Sequence, residues 1–149
     1  MVGGSAYFTG KGFEVCTRAI QVHGGYSFCT EYKVEQFARD CKMLSIYEGT
    51  NGIQALDLFG RRVKMNNGAV LEALFAEIDA HLEEASGMND LGPYAEEVGS
   101  TLESLRKISS YLVERSSSDE AYLAYSWATP HLEIFDDVVL GWLFLWQAK

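Results

Sequence analysis

Apolar residues recur along this chain at the spacing of helices. Phe13, Cys16, Ile20 and His23 fall at three- and four-residue steps, and Gly24-Gly25 follows as a helix stop. A loop through Ser27 and Thr30 comes next, and then Val34, Phe37, Ala38 and Cys41 mark a shorter second helix. The segment from Leu44 to Gly52 reads as loop. Ile53, Leu56, Phe59 and Val63 predict a third helix, with Thr50 or Asn51 as its N-cap. Beyond Gly68 the stripes lengthen. Leu71, Leu74, Phe75, Ile78, Leu82 and Ala85 share one helix face, while Glu72, Glu77, Asp79, Glu83 and Glu84 populate the remainder. Ser86 to Gly92 is a loop, and Pro93 suits a first helical position. Ala95, Val98, Leu102, Leu105, Ile108 and Leu112 form the next stripe. Ser117 with Glu120 fits a capping box opening a last helix from about Asp119 to the end. Its apolar face is expected to carry Leu123, Trp127, Phe135, Val138, Trp142 and Trp146, with a bend or interruption at Pro130. No segment alternates with period two long enough to demand a strand. The expected fold is all-α, an antiparallel bundle of up-and-down helices joined by short loops.

The run Val138 to Trp146 is nearly unbroken apolar sequence. It is far shorter than the roughly twenty residues that span a bilayer. A buried core helix is the plain reading, and contact with another domain or subunit is the alternative. Charge is unevenly placed. Residues 1–65 hold eight Lys/Arg and six Asp/Glu, whereas residues 66–149 hold four and fifteen. The break falls at Met65-Asn66-Asn67-Gly68, the strongest turn signal in the chain, and predicts two domains, 1–65 and 66–149. The acidic second part argues against a nucleic-acid partner. Cys16, Cys29 and Cys41 are odd in number and widely spaced, which fits neither a disulfide framework nor a zinc site. Reduced thiols in a cytoplasmic protein are the expectation. His23, His81 and His131 are too scattered to suggest a metal site.

Chemistry concentrates in Leu44-Ser45-Ile46-Tyr47-Glu48-Gly49-Thr50-Asn51-Gly52. One carboxylate, Glu48, stands between an apolar run and a glycine, just before a helix. An acid pinned against backbone that approaches a ligand closely is one way to build a proton-abstracting base. The plain alternative is an acid that partners the helix dipole.

Several motifs carry a resemblance. Gln21-Val22-His23-Gly24-Gly25-Tyr26, Glu31-Tyr32, Arg39-Asp40 and Ile46-Tyr47-Glu48-Gly49-Thr50-Asn51-Gly52-Ile53-Gln54, in that order over residues 11–64, closely resemble the C-terminal helical domain of flavin-dependent acyl-CoA dehydrogenases. Residues 66–149 are similar to the extra C-terminal helical domain of a larger subgroup of that family, down to the ending Gly141-Trp142. The resemblance implies oxidation of an acyl-CoA to its α,β-enoyl product. Glu48 matches the base that removes the α-proton, and Tyr47 and Gly49 match residues of the substrate pocket. Gln21, Gly24 and Gly25 match a loop that contacts FAD, typically one held by a neighbouring subunit. Thr50 and Asn51 match contacts to the flavin nucleotide. A homo-oligomer and an electron-transfer flavoprotein as acceptor are implied in the same way. Two departures stand out. Ser27 occupies a position where glycine is common, which would stiffen the loop. Gly52 replaces a longer polar or acidic residue, so no side-chain contact to cofactor is expected there. Arg39-Asp40 reads as a structural ion pair.

A helix N-terminus behind Glu48 favours its carboxylate by about 0.3–1 kcal/mol. Burial raises a carboxyl by up to several pKa units, so desolvation by an acyl chain is expected to dominate and bring the group toward the operating pH. The resembled family assembles its site from an N-terminal helical domain, a small β-domain over the flavin and the C-terminal helical domain. Nothing in this sequence matches the first two, and Met1-Val2-Gly3-Gly4-Ser5 does not read as a natural N-terminus. The chain is therefore expected to be a fragment, inactive alone and not retaining FAD. A different class of function is a helical assembly module without catalysis of its own. A third is an oxidase-type relative that passes electrons to oxygen.

Overall fold

The computed structural model describes residues 3–47 and 50–149, with side chains from Tyr7 onward. Among the described residues there are seven α-helices and no strand. In order these are α1 (Gly3–His23), α2 (Val34–Leu44), α3 (Asn51–Asp57), α4 (Ala69–Ser86), α5 (Gly92–Arg115), α6 (Ala121–Ser126) and α7 (Ala128–Ala148). The chain forms two compact units, Met1–Gln54 and Ala55–Lys149.

In the first unit α1 stops at His23 because Gly24 turns left-handed at φ 64°, a conformation that costs glycine little. A tight 3-10 turn, Gly24–Phe28, follows where a plain loop was expected. Ser27 is buried within it and its hydroxyl donates to the Gly24 carbonyl at 2.6 Å. On α2, Arg39 pairs with Glu35 at 2.9 Å and not with Asp40. Residues four apart share a helix face, whereas adjacent ones point apart. Thr50 is the cap of α3, since its Oγ1 accepts a bond from the Ile53 amide at 3.4 Å. Of this unit's described apolar side chains only Ala38 is buried, while Phe28 is 90% and Val22 86% exposed.

The second unit closes its own core. α3 continues through a π-turn, Leu58–Arg62, that ends with the Val63 amide bonded to the Leu58 carbonyl at 2.9 Å. Asn66 (φ 51°), Asn67 (φ 56°) and Gly68 (φ 85°) then reverse the chain through left-handed backbone. Leu71, Phe75, Ile78, Leu82 and Ala85 of α4 are buried as their stripe requires, and so are Ala95, Leu102, Leu105 and Leu112 of α5. Gly99 faces Leu82 and Arg106 pairs with Asp79, so α4 and α5 run antiparallel. Val98 against Gly141 and Ser109 against His131 set α5 and α7 antiparallel in turn. Trp142 donates to His81 at 3.1 Å and Lys149 pairs with Glu84, which places α7 alongside α4.

The C-terminal segment departs from expectation in three ways. The helix is divided at Trp127, and Pro130 lies inside the first turn of α7. A proline ring collides with the carbonyl four residues back, here that of Ser126, the last residue of α6. The break therefore appears upstream of the proline itself. The capping box does not form: the Glu120 amide bonds Ser118 at 3.2 Å, and its carboxylate is taken by Arg115 at 2.6 Å. The buried face is also rotated. Ala128, His131, Leu132, Asp136, Val138 and Leu145 point inward, whereas Leu123, Trp127 and Trp146 are exposed. Phe144 is exposed as well, so the apolar run is only partly core. No described helix is long and apolar enough to cross a membrane.

Candidate active site

Glu48 and Gly49 lie outside the described residues. Their anchors are described. α2 unwinds through a hydrogen-bonded turn, with the Ser45 amide on Lys42 at 3.2 Å and the Ile46 and Tyr47 amides on Met43 at 2.9 Å each. Ser45 adds a hydroxyl bond to the Lys42 carbonyl at 2.8 Å. On the far side Thr50 caps α3, and Asn51 Oδ1 accepts from the Thr9 hydroxyl of α1 at 3.4 Å. The two residues in question are thus bracketed by backbone held on both sides.

Tyr47 is exposed beside a hollow of about 480 Å³ lined by Arg39, Lys42, Met43, Ile46 and itself. Its floor is apolar. Glu35 holds Arg39, and the Lys42 ammonium sits 5.3 Å from the centre of the Phe13 ring. Gln21, Gly24 and Gly25 are exposed at the C-terminal end of α1. A Cβ added at Gly24 or Gly25 would meet no heavy atom within 4 Å, so a bulky ligand can approach this backbone. These residues fit a flavin nucleotide in that limited sense: open glycine backbone at one place, hydroxyl and amide groups at another. They are not gathered at one point. Gln21 lies twelve positions along α1 from Thr9, about 18 Å at 1.5 Å per residue. Thr50 and Asn51 are therefore a separate patch from the Gln21–Gly25 turn.

Thr9, Arg39 and Lys42 were not singled out as site residues from sequence. A signal for Thr9 existed: it is a polar residue four before Phe13 on the first apolar stripe, and it is buried. Elsewhere, Asp57 is held down to about 2, first by its bonds to Arg61 and then by Arg62, at 2.7 and 2.8 Å. That is a helix-end ion cluster. Buried His131, linked through Nε2 to the Ser109 hydroxyl at 2.8 Å, is pushed down to about 4 by burial. It stays neutral at ordinary pH and takes up a proton too weakly to be a useful base.

Residues 74–149 match the family model described as acetyl-CoA dehydrogenase C-terminal like, and residues 6–63 match the acyl-CoA dehydrogenase C-terminal domain. The chain belongs to the acyl-CoA dehydrogenase family. Among this family's members it is 32% identical over 139 residues to the 3-methylmercaptopropionyl-CoA dehydrogenase of Ruegeria pomeroyi, covering 91% of this chain and 23% of that protein. It is 45% identical over 73 residues to a butyryl-CoA dehydrogenase of Syntrophomonas wolfei, covering 49% of this chain and 12% of that one. It is 47% identical over 51 residues to the caffeyl-CoA reductase-Etf complex subunit CarC of Acetobacterium woodii, covering 34% and 14%. The chain thus spans less than a quarter of the length of these relatives.

Proposed function

We propose that this chain is the C-terminal part of a flavin-dependent acyl-CoA dehydrogenase that converts an acyl-CoA to its α,β-enoyl product. The observation that supports this best is that the α2 turn through Tyr47 and the Thr50 cap are both held by hydrogen bonds, with an apolar hollow at Tyr47. Glu48 is the base: its carboxylate removes the α-proton of the thioester and holds it. Tyr47 and Gly49 border the acyl chain, excluding water so that the carboxylate is poorly solvated and more basic. FAD, when bound, would supply the acceptor for the β-hydride. Thr50 and Asn51 bind the flavin nucleotide at the start of α3, and Thr9 orients Asn51 through its hydroxyl. Gln21, Gly24 and Gly25 offer open backbone to a cofactor held by a second subunit. A cofactor shared across subunits in this way makes the protein a homo-oligomer.

The exposed apolar surface of α1 and α2 supports a chain completed by further domains, without which it is inactive and does not hold FAD. We put the boundary between the family's two C-terminal domains at the left-handed Asn66-Asn67-Gly68 turn, about a dozen residues after the point where the compact units divide. An electron-transfer flavoprotein is the redox partner we favour, since the name of the Acetobacterium relative includes an Etf complex, and oxidation of the substrate makes it the acceptor here; reduced thiols suit the cytoplasm.

The test is Glu48→Gln in the full-length protein. The variant should bind acyl-CoA and fail to bleach the flavin absorbance. Normal bleaching would overturn the assignment of the base. A second reading, a helical assembly module without catalysis, is favoured by the exposed Trp127, Phe144 and Trp146 on a unit whose core is otherwise closed. Absence of flavin bands from the full-length protein would select it. Reoxidation by oxygen as fast as by electron-transfer flavoprotein would instead select an oxidase.

A further inference from the structure

α1 and α2 bring two of the three cysteines together. Cys16 Sγ and Cys41 Sγ are 3.6 Å apart, although 25 residues separate them in sequence. Both are half-buried, while Cys29 is exposed in the segment between the helices. Gly12, one turn before Cys16, leaves room over the second sulfur: a Cβ there would sit 3.5 Å from Cys41 Sγ. The two sulfurs share one weak S–H···S contact, and a disulfide would bring them to about 2.05 Å. Burial, and then the neighbouring sulfur, push the Cys16 thiol up, so Cys16 rests as a thiol.

We propose that Cys16 and Cys41 form a modification site, a reversible disulfide that staples α1 to α2 by exchange with a small-molecule disulfide. The thiolate of one cysteine attacks a sulfur of the small disulfide. That S–S bond breaks and one small thiol leaves with the electron pair, taking a proton from solvent. The second cysteine gives its proton to solvent and attacks the protein-bound sulfur. The Cys16–Cys41 bond forms and the second small thiol departs. The protein dithiol is oxidised by two electrons and the small disulfide is reduced to two thiols, so the exchange is balanced. The second step is fast because its partner is already in contact. Cys29 has no such neighbour and stops at the mixed disulfide.

The test uses this chain with oxidised glutathione, followed by blocking of free thiols, trypsin and mass spectrometry. Each cysteine falls in its own tryptic peptide, residues 12–18, 19–33 and 40–42. The expected product is peptide 12–18 joined to 40–42, with a single glutathione on 19–33. Reducing agent should restore three blockable thiols. Cys29→Ser should keep the link and lose the adduct, and Cys16→Ser should leave Cys41 trapped with glutathione. Glutathione on all three peptides of the unaltered chain would overturn the proposal. So would free thiols at 16 and 41, or links that run through Cys29.

Discussion

At the scale of single residues, burial decides which ionisable groups matter. In the sequence His131 is one of three scattered histidines, and in the bundle it is 1% exposed, with Phe59 and Phe135 rings beside it. Its imidazole takes a proton near pH 4 when folded, against 6.5 for the free group. Between those values the unfolded chain binds more protons. The stability due to a neutral His131 is therefore complete above about pH 6.5 and is lost as pH falls toward 4, with an upper bound of about 3 kcal/mol. Urea midpoints taken near pH 7 and near pH 4.5 check this. His131→Gln keeps a partner for Ser109 but cannot charge, so its loss on acidification should be smaller than that of the parent chain. Equal losses would show that other groups carry the acid sensitivity. Thr9 and Ser27 teach the same lesson from the polar side. Thr9 drew no notice in the sequence and Ser27 drew it only as a departure from glycine, and each is buried with a hydrogen bond to a segment of the proposed site.

At the scale of elements, the periodic helices were readable and the aperiodic one was not. α4 and α5 carry alternating apolar and charged faces, so their buried stripes follow from spacing alone. α7 carries a polar stripe only in its first half, Thr129, Glu133 and Asp137, and from Val138 to Trp146 it is apolar almost all round, with little to set its phase. Its orientation comes from the break at Trp127 and from the contact of Gly141 with α5. A Cβ added at Gly141 would fall 2.8 Å from Val98 Cγ2, closer than real contacts allow. Gly141→Ala should cost about 1–3 kcal/mol by overpacking. Val98→Ala in the same chain should return part of that loss, because the clashing methyls are gone. Thermal denaturation of the two single variants and the double variant measures the coupling, and strict additivity would mean that the two helices do not meet there.

At the scale of the whole molecule, the two units differ in self-sufficiency. The second buries Phe59, Phe75, Ile78, Leu102, Leu105, Leu132 and Val138 almost completely, whereas the first buries Ala38 alone among its described apolar side chains. Residues 55–149 expressed alone should unfold in one cooperative transition, and residues 1–54 alone should show none. Circular dichroism melts of the two pieces decide this, and a cooperative melt of residues 1–54 would contradict it. The proposed site belongs to the unit that cannot bury its own apolar surface, as expected where one chain supplies part of a catalytic centre. By itself, the sequence determined the all-α class, most helix positions, the turn at Asn66-Asn67-Gly68 and the family, because these rest on local periodicity, turn chemistry and motif order. Tertiary structure alone decided the face of α7, the burial of His131 and the meeting of Cys16 with Cys41. Each of those depends on which surfaces two helices bring together, and spacing along one chain carries no record of that.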